Sequence, residues 1–184
     1  LAGDKLFIYA FETAAKAFAL TDRADLVGKA ISILANKAGI YGMIGGQSVD
    51  VEYTDRPVTK SQLEFIYELK TAALLEAAMM IGAVLAGADD NQVKAAEQIA
   101  HHVGMAFQIR DDILDVISTT EELGKPVKSD EKNNKTTYVT IYGLDGASKL
   151  VEEYSHTAMT LLDQVCPNAS FLKRLFEYLI VRKK

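Results

Sequence analysis

Apolar residues recur three and four positions apart along almost the whole chain, and the strict alternation that marks a half-buried strand is nearly absent. This pattern predicts an all-α protein. The spacing places a first helix at about Leu6 to Leu20, stopped by Thr21 and Asp22, either of which can cap a second helix beginning near Ala24. Gly39, Gly42, Gly45 and Gly46 follow, where missing side chains would admit another helix or a ligand close to the backbone. Beyond a turn at Asp55, Arg56 and Pro57, Thr59 and Gln62 form a capping box for a long helix reaching about Ala86. A fourth helix is expected from near Asp90 through Ile117. The stretch from Ser118 to Lys135 is polar, alternates in charge, carries Gly124 and Pro126, and reads as a mobile loop. Shorter helices should begin around Thr136, after Asp145, and after the break at Cys166, Pro167 and Asn168, completing an antiparallel helical bundle.

The fourth helix departs from the ordinary amphipathic pattern. Within Phe107, Gln108, Ile109, Arg110, Asp111, Asp112, Ile113, Leu114 and Asp115, the three carboxylates fall inside an arc of roughly 100° on a helix. Gly104, Gln108 and His101 share that stripe, while Val103, Met105, Phe107, Ile109, Ile113 and Leu114 cover the other directions, so the helix belongs inside a bundle. Ionised carboxylates crowded in an interior repel one another unless a cation joins them. An oxygen-only donor set, with no histidine or cysteine at matching spacing, suits Mg2+, which bridges a few carboxylates to substrate phosphates. The competing reading is a solvated acidic face, the commoner fate of such triplets; the apolar flanks argue against it. Lys70 lies at the centre of a stripe made by Leu63, Ile66, Tyr67, Leu74, Ala78 and Ile81, with Thr71 beside it. A lysine there either snorkels to water or needs an anion. In the loop, Lys125, Lys128, Lys132 and Lys135 could fold over a phosphate or simply be solvated.

Composition narrows the function classes. With 184 residues, 49% of them hydrophobic, the chain can bury a core of its own, and one domain is the expectation. A net charge of −5 with scattered lysines and arginines offers no basic face to nucleic acid. Cys166 is the only cysteine, so neither a disulfide framework nor a multi-cysteine zinc site can form, and a reducing, cytoplasmic setting is expected. Lys70, Glu76, Arg110 and Asp111 interrupt every run that could otherwise cross a bilayer. His101, His102 and His156 match no metal-ligand spacing. The chain opens on Leu1 without the features of a secretory signal, and further residues upstream are expected.

The segment from Phe107 to Asp115 resembles the second aspartate-rich motif of the trans-prenyltransferase family, the isoprenyl diphosphate synthases that include farnesyl and geranylgeranyl diphosphate synthases. The resemblance continues, in the family's order, through Gly3-Asp4, Gly46-Gln47 with Asp50, Lys70-Thr71, Gly124-Lys125-Pro126, Asp130, and Asn134-Lys135-Thr136-Thr137-Tyr138. It covers essentially the whole chain but starts mid-family. The first aspartate-rich motif, the arginines after it and the residues that grip the homoallylic diphosphate have no counterpart. Residues 1–184 are therefore read as the C-terminal part of a single isoprenoid synthase domain, expected to be inactive alone.

What the resemblance implies is a set of roles. Asp111, Asp112 and Asp115 would bind magnesium; Lys70, Thr71, Gln108 and Lys125 would be catalytic; Phe107, Lys135, Gln47 and Asp50 would join them in holding substrate. The implied reaction condenses an allylic diphosphate with isopentenyl diphosphate through an allylic carbocation, giving a product of farnesyl or geranylgeranyl type. The implied assembly is a homodimer; Ala72, Ala73, Ala77 and Ala78 could pack closely against a partner or simply within the chain. A terpene cyclase on a related fold and a non-catalytic partner subunit are the alternatives. The lysine-rich loop after Asp115 favours chain elongation, and retention of the motifs favours an enzyme.

Overall fold

The protein, seen in a computed structural model, is described over residues 1–118 and 135–182. Among these residues all regular elements are helical: α1 (Ala2–Ala15) with a 3-10 turn (Lys16–Ala19), α2 (Ala24–Ala38), α3 (Met43–Glu52), α4 (Lys60–Tyr67), α5 (Ala73–Leu85), α6 (Asp90–Ile117), α7 (Tyr138–Val165) and α8 (Ser170–Val181). No helix among them is long and apolar enough to cross a membrane. The expected loop from Ser118 to Lys135 lies, except for its two end residues, outside the described residues.

Helix α6 is the axis of the fold. One core joins Met105, Ile109 and Ile113 of α6 to Leu63, Ile66 and Tyr67 of α4 and to Tyr138, Ala147 and Val151 of α7. A second joins Ile99 and Val103 of α6 to Ala158 and Leu162 of α7 and to Phe176 of α8. A helix that is apolar in most directions must be surrounded, as the sequence pattern of α6 required.

Helix starts follow local chemistry. Capping boxes begin α4 with Thr59 and Gln62, α6 with Asp89 and Gln92, and α7 with Thr137 and Thr140. The start of α2 differs from expectation: Arg23 occupies the cap position, and the Thr21 hydroxyl reaches only the Arg23 N–H at 3.1 Å. The two helices expected around Thr136 and after Asp145 are both present within α7, which is kinked where they meet. The boundary between them is Gly143, whose φ of 70° lies in the left-handed region that favours glycine.

The long helix expected from Thr59 to Ala86 contains a π-helical turn at Glu68–Ala72. The added residue in that turn rotates everything after it. The buried line that enters on Leu63, Ile66 and Tyr67 leaves on Ala72, Ala73, Glu76, Ala77 and Val84, so Leu74 and Ala78 face outward rather than inward. Three of the four alanines that could have met a partner subunit, Ala72, Ala73 and Ala77, are thereby consumed in packing within the chain.

Glu76 is the charged residue that this rotation buries. It accepts from Lys37 Nζ of α2 at 2.5 Å and lies 3.2 Å from His101 Nδ1 of α6, while Lys37 also reaches Glu97 at 2.5 Å. Burial pushes the Glu76 carboxyl up, but hydrogen bonds from His101 and Lys37 outweigh it and leave the group below its ordinary range. The Glu76 hydrogen bond holds His101 above its ordinary value against the opposing pull of burial. A raised His101 contributes stability that is present below its unfolded value and lost as pH rises through the folded value. A lowered Glu76 contributes stability present above its unfolded value and lost as pH falls through the folded one. Thermal unfolding followed by circular dichroism is expected to show stability declining as pH rises above about 6.5, the ordinary histidine value, and His101→Gln should remove that decline.

Candidate functional site

The π-helical turn is held between two glycines. A Cβ on Gly46 of α3 would come within 2.4 Å of the Lys70 backbone nitrogen, and one on Gly104 of α6 within 2.7 Å of Ala72 Cα. Helices α3 and α6 therefore approach the turn from two sides as closely as bare backbone permits. Lys70 and Thr71, at the middle of the turn, are delivered to the seam between α3 and α6.

Each then meets a partner from one of those helices. Lys70 Nζ donates to Asp50 Oδ2 of α3 at 2.5 Å, and Lys135 Nζ lies 3.7 Å from Asp50 Oδ1. The anion that Lys70 requires is thus Asp50, whose side chain is largely buried while both lysines keep more than a third of their side-chain surface exposed. Thr71 Oγ1 donates to Gln108 Oε1 of α6 at 2.9 Å. Gln47, one turn before Asp50, lines with Lys70, Met43, Ile44 and Val51 a recess of about 680 Å3. A second recess of about 430 Å3 is bounded by Asp50, Arg56, Leu63, Lys135 and Thr136.

The acidic face of α6 is graded in burial. Asp112 and Asp115 are buried, and Asp111 keeps a third of its side-chain surface exposed. Asp112 accepts from the Tyr67 hydroxyl at 2.8 Å to each carboxylate oxygen and from the Tyr138 backbone N–H at 3.0 Å. It ties α4 to the first residue of α7, which begins three residues after Lys135. The Tyr138 hydroxyl is buried without an acceptor among the described residues, and burial holds it in its neutral form. Asp111 Oδ1 accepts from Arg182 Nη2 at 3.1 Å, and the guanidinium of Arg182 lies over the Phe107 ring, 3.9 Å from its centroid.

These ties link the neighbours of both lysines to the acidic helix. Thr71, next to Lys70, is bonded to Gln108, which lies one turn before Asp111 and Asp112. Lys135 lies three residues before Tyr138, whose backbone N–H is bonded to Asp112. Of the residues singled out in the sequence, Gln47, Asp50, Lys70, Thr71, Gln108 and Lys135 assemble on one seam, and Phe107 sits beneath Arg182. Lys125 lies outside the described residues. Sequence reasoning missed Tyr67 as a hydrogen-bond donor, having placed it only on the apolar stripe, and missed Arg182, which carries no signal beyond being basic.

The donor set suits a hard divalent cation. Among the described residues no three histidine, cysteine, aspartate or glutamate side chains gather into a metal cage. Mg2+ does not need one, because it commonly takes one or two carboxylates and completes its shell with water and phosphate oxygens. Asp111, Asp112 and Asp115 share the face that would fill that role; Asp111 is partly exposed, Asp112 and Asp115 are buried, and Asp112 also joins α4 to α7.

Residues 1–169 match the model of the polyprenyl synthetase family. The chain is 36% identical over 182 residues to a farnesyl diphosphate synthase of Geobacillus stearothermophilus, covering 99% of this chain and 61% of that protein. It is 42% identical over 153 residues to a geranylgeranyl diphosphate synthase of Cyanophora paradoxa, covering 83% of this chain and 51% of that protein. Among solved structures, a geranyltransferase from Helicobacter pylori, described as complexed with magnesium and isoprenyl diphosphate, superposes with a TM-score of 0.81 at 32% identity, covering 97% of this chain and 57% of that one. The chain thus spans about three fifths of the length of the first of these relatives.

Proposed function

The chain belongs to the polyprenyl synthetase family, and on that premise we propose that the protein carrying it is a magnesium-dependent trans-prenyltransferase that condenses an allylic diphosphate with isopentenyl diphosphate. The observation that carries this reading is the seam itself, where Asp50 holds Lys70 and Lys135 and Thr71, next to Lys70, bonds to Gln108 one turn before Asp111 and Asp112. Two partly exposed cations braced by one largely buried anion are preorganised to receive a polyanion without being free to collapse onto the metal-binding carboxylates. The magnesium and isoprenyl diphosphate named for the Helicobacter pylori relative support the same ligand class.

Asp111, with Asp112 and Asp115 on the same face, would hold the metal, which when bound supplies compact positive charge to a departing diphosphate. Lys70 and Lys135 bind that diphosphate and offset the charge that grows on it as the allylic C1–O bond breaks. Gln108, oriented by the Thr71 hydroxyl, presents its amide dipole to the seam. Met43, Ile44 and Val51 give the recess beside Lys70 apolar walls that would take the hydrocarbon tail of the allylic substrate. The double bond of isopentenyl diphosphate then forms the new carbon–carbon bond, and the proton it loses passes to the released diphosphate. A farnesyl- or geranylgeranyl-type product, a homodimeric assembly and a cytoplasmic setting complete the proposal.

Calorimetric titration of the intact protein with a non-hydrolysable allylic diphosphate analogue tests it. Chelation of magnesium is expected to weaken binding by about tenfold or more, the equivalent of losing one or two charge-assisted contacts. Affinity unchanged by chelation would overturn the reading.

A further inference from the structure

The last described residue of the chain sits on the acidic helix. Three side chains of α6 hold Arg182, and they occupy one face at positions 107, 110 and 111. Its guanidinium donates to Asp111 Oδ1 at 3.1 Å and stacks on the Phe107 ring at 3.9 Å. Arg110 donates from Nε and Nη2 to the Arg182 backbone carbonyl at 3.3 and 3.1 Å. Only 14% of the Arg182 side-chain surface remains exposed. This is a built contact, because a solvated arginine would keep its long side chain free rather than bury it against an aromatic ring.

Two features mark the contact as exchangeable. The Arg182 Nε is buried with no acceptor among the described residues, so the guanidinium is held with its hydrogen bonding incomplete. The carboxylate that it meets is the most exposed of the three on the acidic face. A dication on Asp111 and a guanidinium on the same oxygen would repel at close range, and the two are therefore alternatives.

We propose that Arg182 is a resident counter-cation of Asp111 that a divalent metal must displace, so that metal loading releases the end of α8 from α6. This rests on the reading of Asp111 as a metal-binding residue. The guanidinium limits carboxylate repulsion on the acidic face before metal arrives, at the cost of metal affinity.

Mn2+ binding to the intact protein, followed by electron paramagnetic resonance without diphosphate, separates the two ideas. Arg182→Gln is expected to tighten Mn2+ binding about three- to tenfold, the range of a partly exposed ion pair and its hydrogen bond. Arg182→Lys, which keeps the charge but loses the fork and the stacking, should tighten it less. Hydrogen exchange of the amides at the end of α8 should rise on Mn2+ addition to the parent and stay unchanged in Asp111→Asn. Unchanged or weaker Mn2+ binding in Arg182→Gln would overturn the counter-cation role. Unchanged Mn2+ binding in Asp111→Asn would instead remove Asp111 from the metal site, and the counter-cation proposal with it.

Discussion

Replacing Asp111 with Asn is expected to lower prenyl-transfer turnover of the intact protein about 10²-fold or more, the usual cost of removing a preorganised electrostatic contact to developing charge. The measurement is incorporation of labelled isopentenyl diphosphate, with circular dichroism as a check on folding. Asn keeps the size and one acceptor oxygen of the side chain and removes its charge, so the loss would report on charge. Structural damage is expected to be small, because Asp111 keeps a third of its side-chain surface exposed, and Asn can still accept the hydrogen bond from Arg182. Turnover within about threefold of the parent would show that Asp111 is not part of the machinery. Asp112→Asn tests a different property. That carboxylate joins Tyr67 to the start of α7, so its replacement should act first through stability.

Gly46→Ala should be the most damaging small substitution in the described residues that line the site. The added methyl would lie 2.4 Å from the Lys70 nitrogen, 2.8 Å from Leu69 Cβ and 2.9 Å from the Leu69 carbonyl carbon. Two of those three atoms are backbone, so relief requires moving α3 off the π-helical turn rather than rotating a side chain. The expected loss is about 3 kcal/mol, the upper end of the range for overpacking, or about 6–12 °C in Tm for a chain of this size. Lys70 would move with the turn, and affinity for the diphosphate analogue should fall as well. Gly28→Ala is the control. It lies within α2, its added Cβ meets nothing within 4 Å, and alanine should be neutral or stabilising by about 0.5–1 kcal/mol. Equal melting temperatures for Gly46→Ala and the parent would show that the close approach is not a packing constraint.

The parts of the site that could be read from the sequence are those that depend on one helix at a time. The shared face of Asp111, Asp112 and Asp115 follows from helical rotation and holds whatever the helix packs against. The glycines at 45 and 46 signalled close approach without saying what approached. The Lys70 stripe could not be read correctly, because it assumed that rotation per residue is constant from Thr59 to Ala86. One π-helical turn breaks that assumption, turns Leu74 and Ala78 outward, and buries Glu76. The turn is accommodated where Gly46 and Gly104 remove side chains from both neighbours, and those residues are far from it in sequence.

The same distinction separates the roles within the acidic triplet. Their spacing makes the three carboxylates equivalent, and periodicity offers no reason to divide them. Tyr67, 45 residues away, and the start of α7, 26 residues away, engage Asp112, while Arg182, 71 residues away, engages Asp111. Periodicity, capping residues and helix breakers act over a few residues, so the sequence by itself determined the all-helical class, most helix boundaries and the carboxylate face of α6. Which partner each charged group meets depends on long-range packing of backbones at glycine contacts. Only the tertiary structure could therefore decide that Asp50 braces Lys70, that Asp112 ties two helices together, and that the chain's own arginine rests on Asp111.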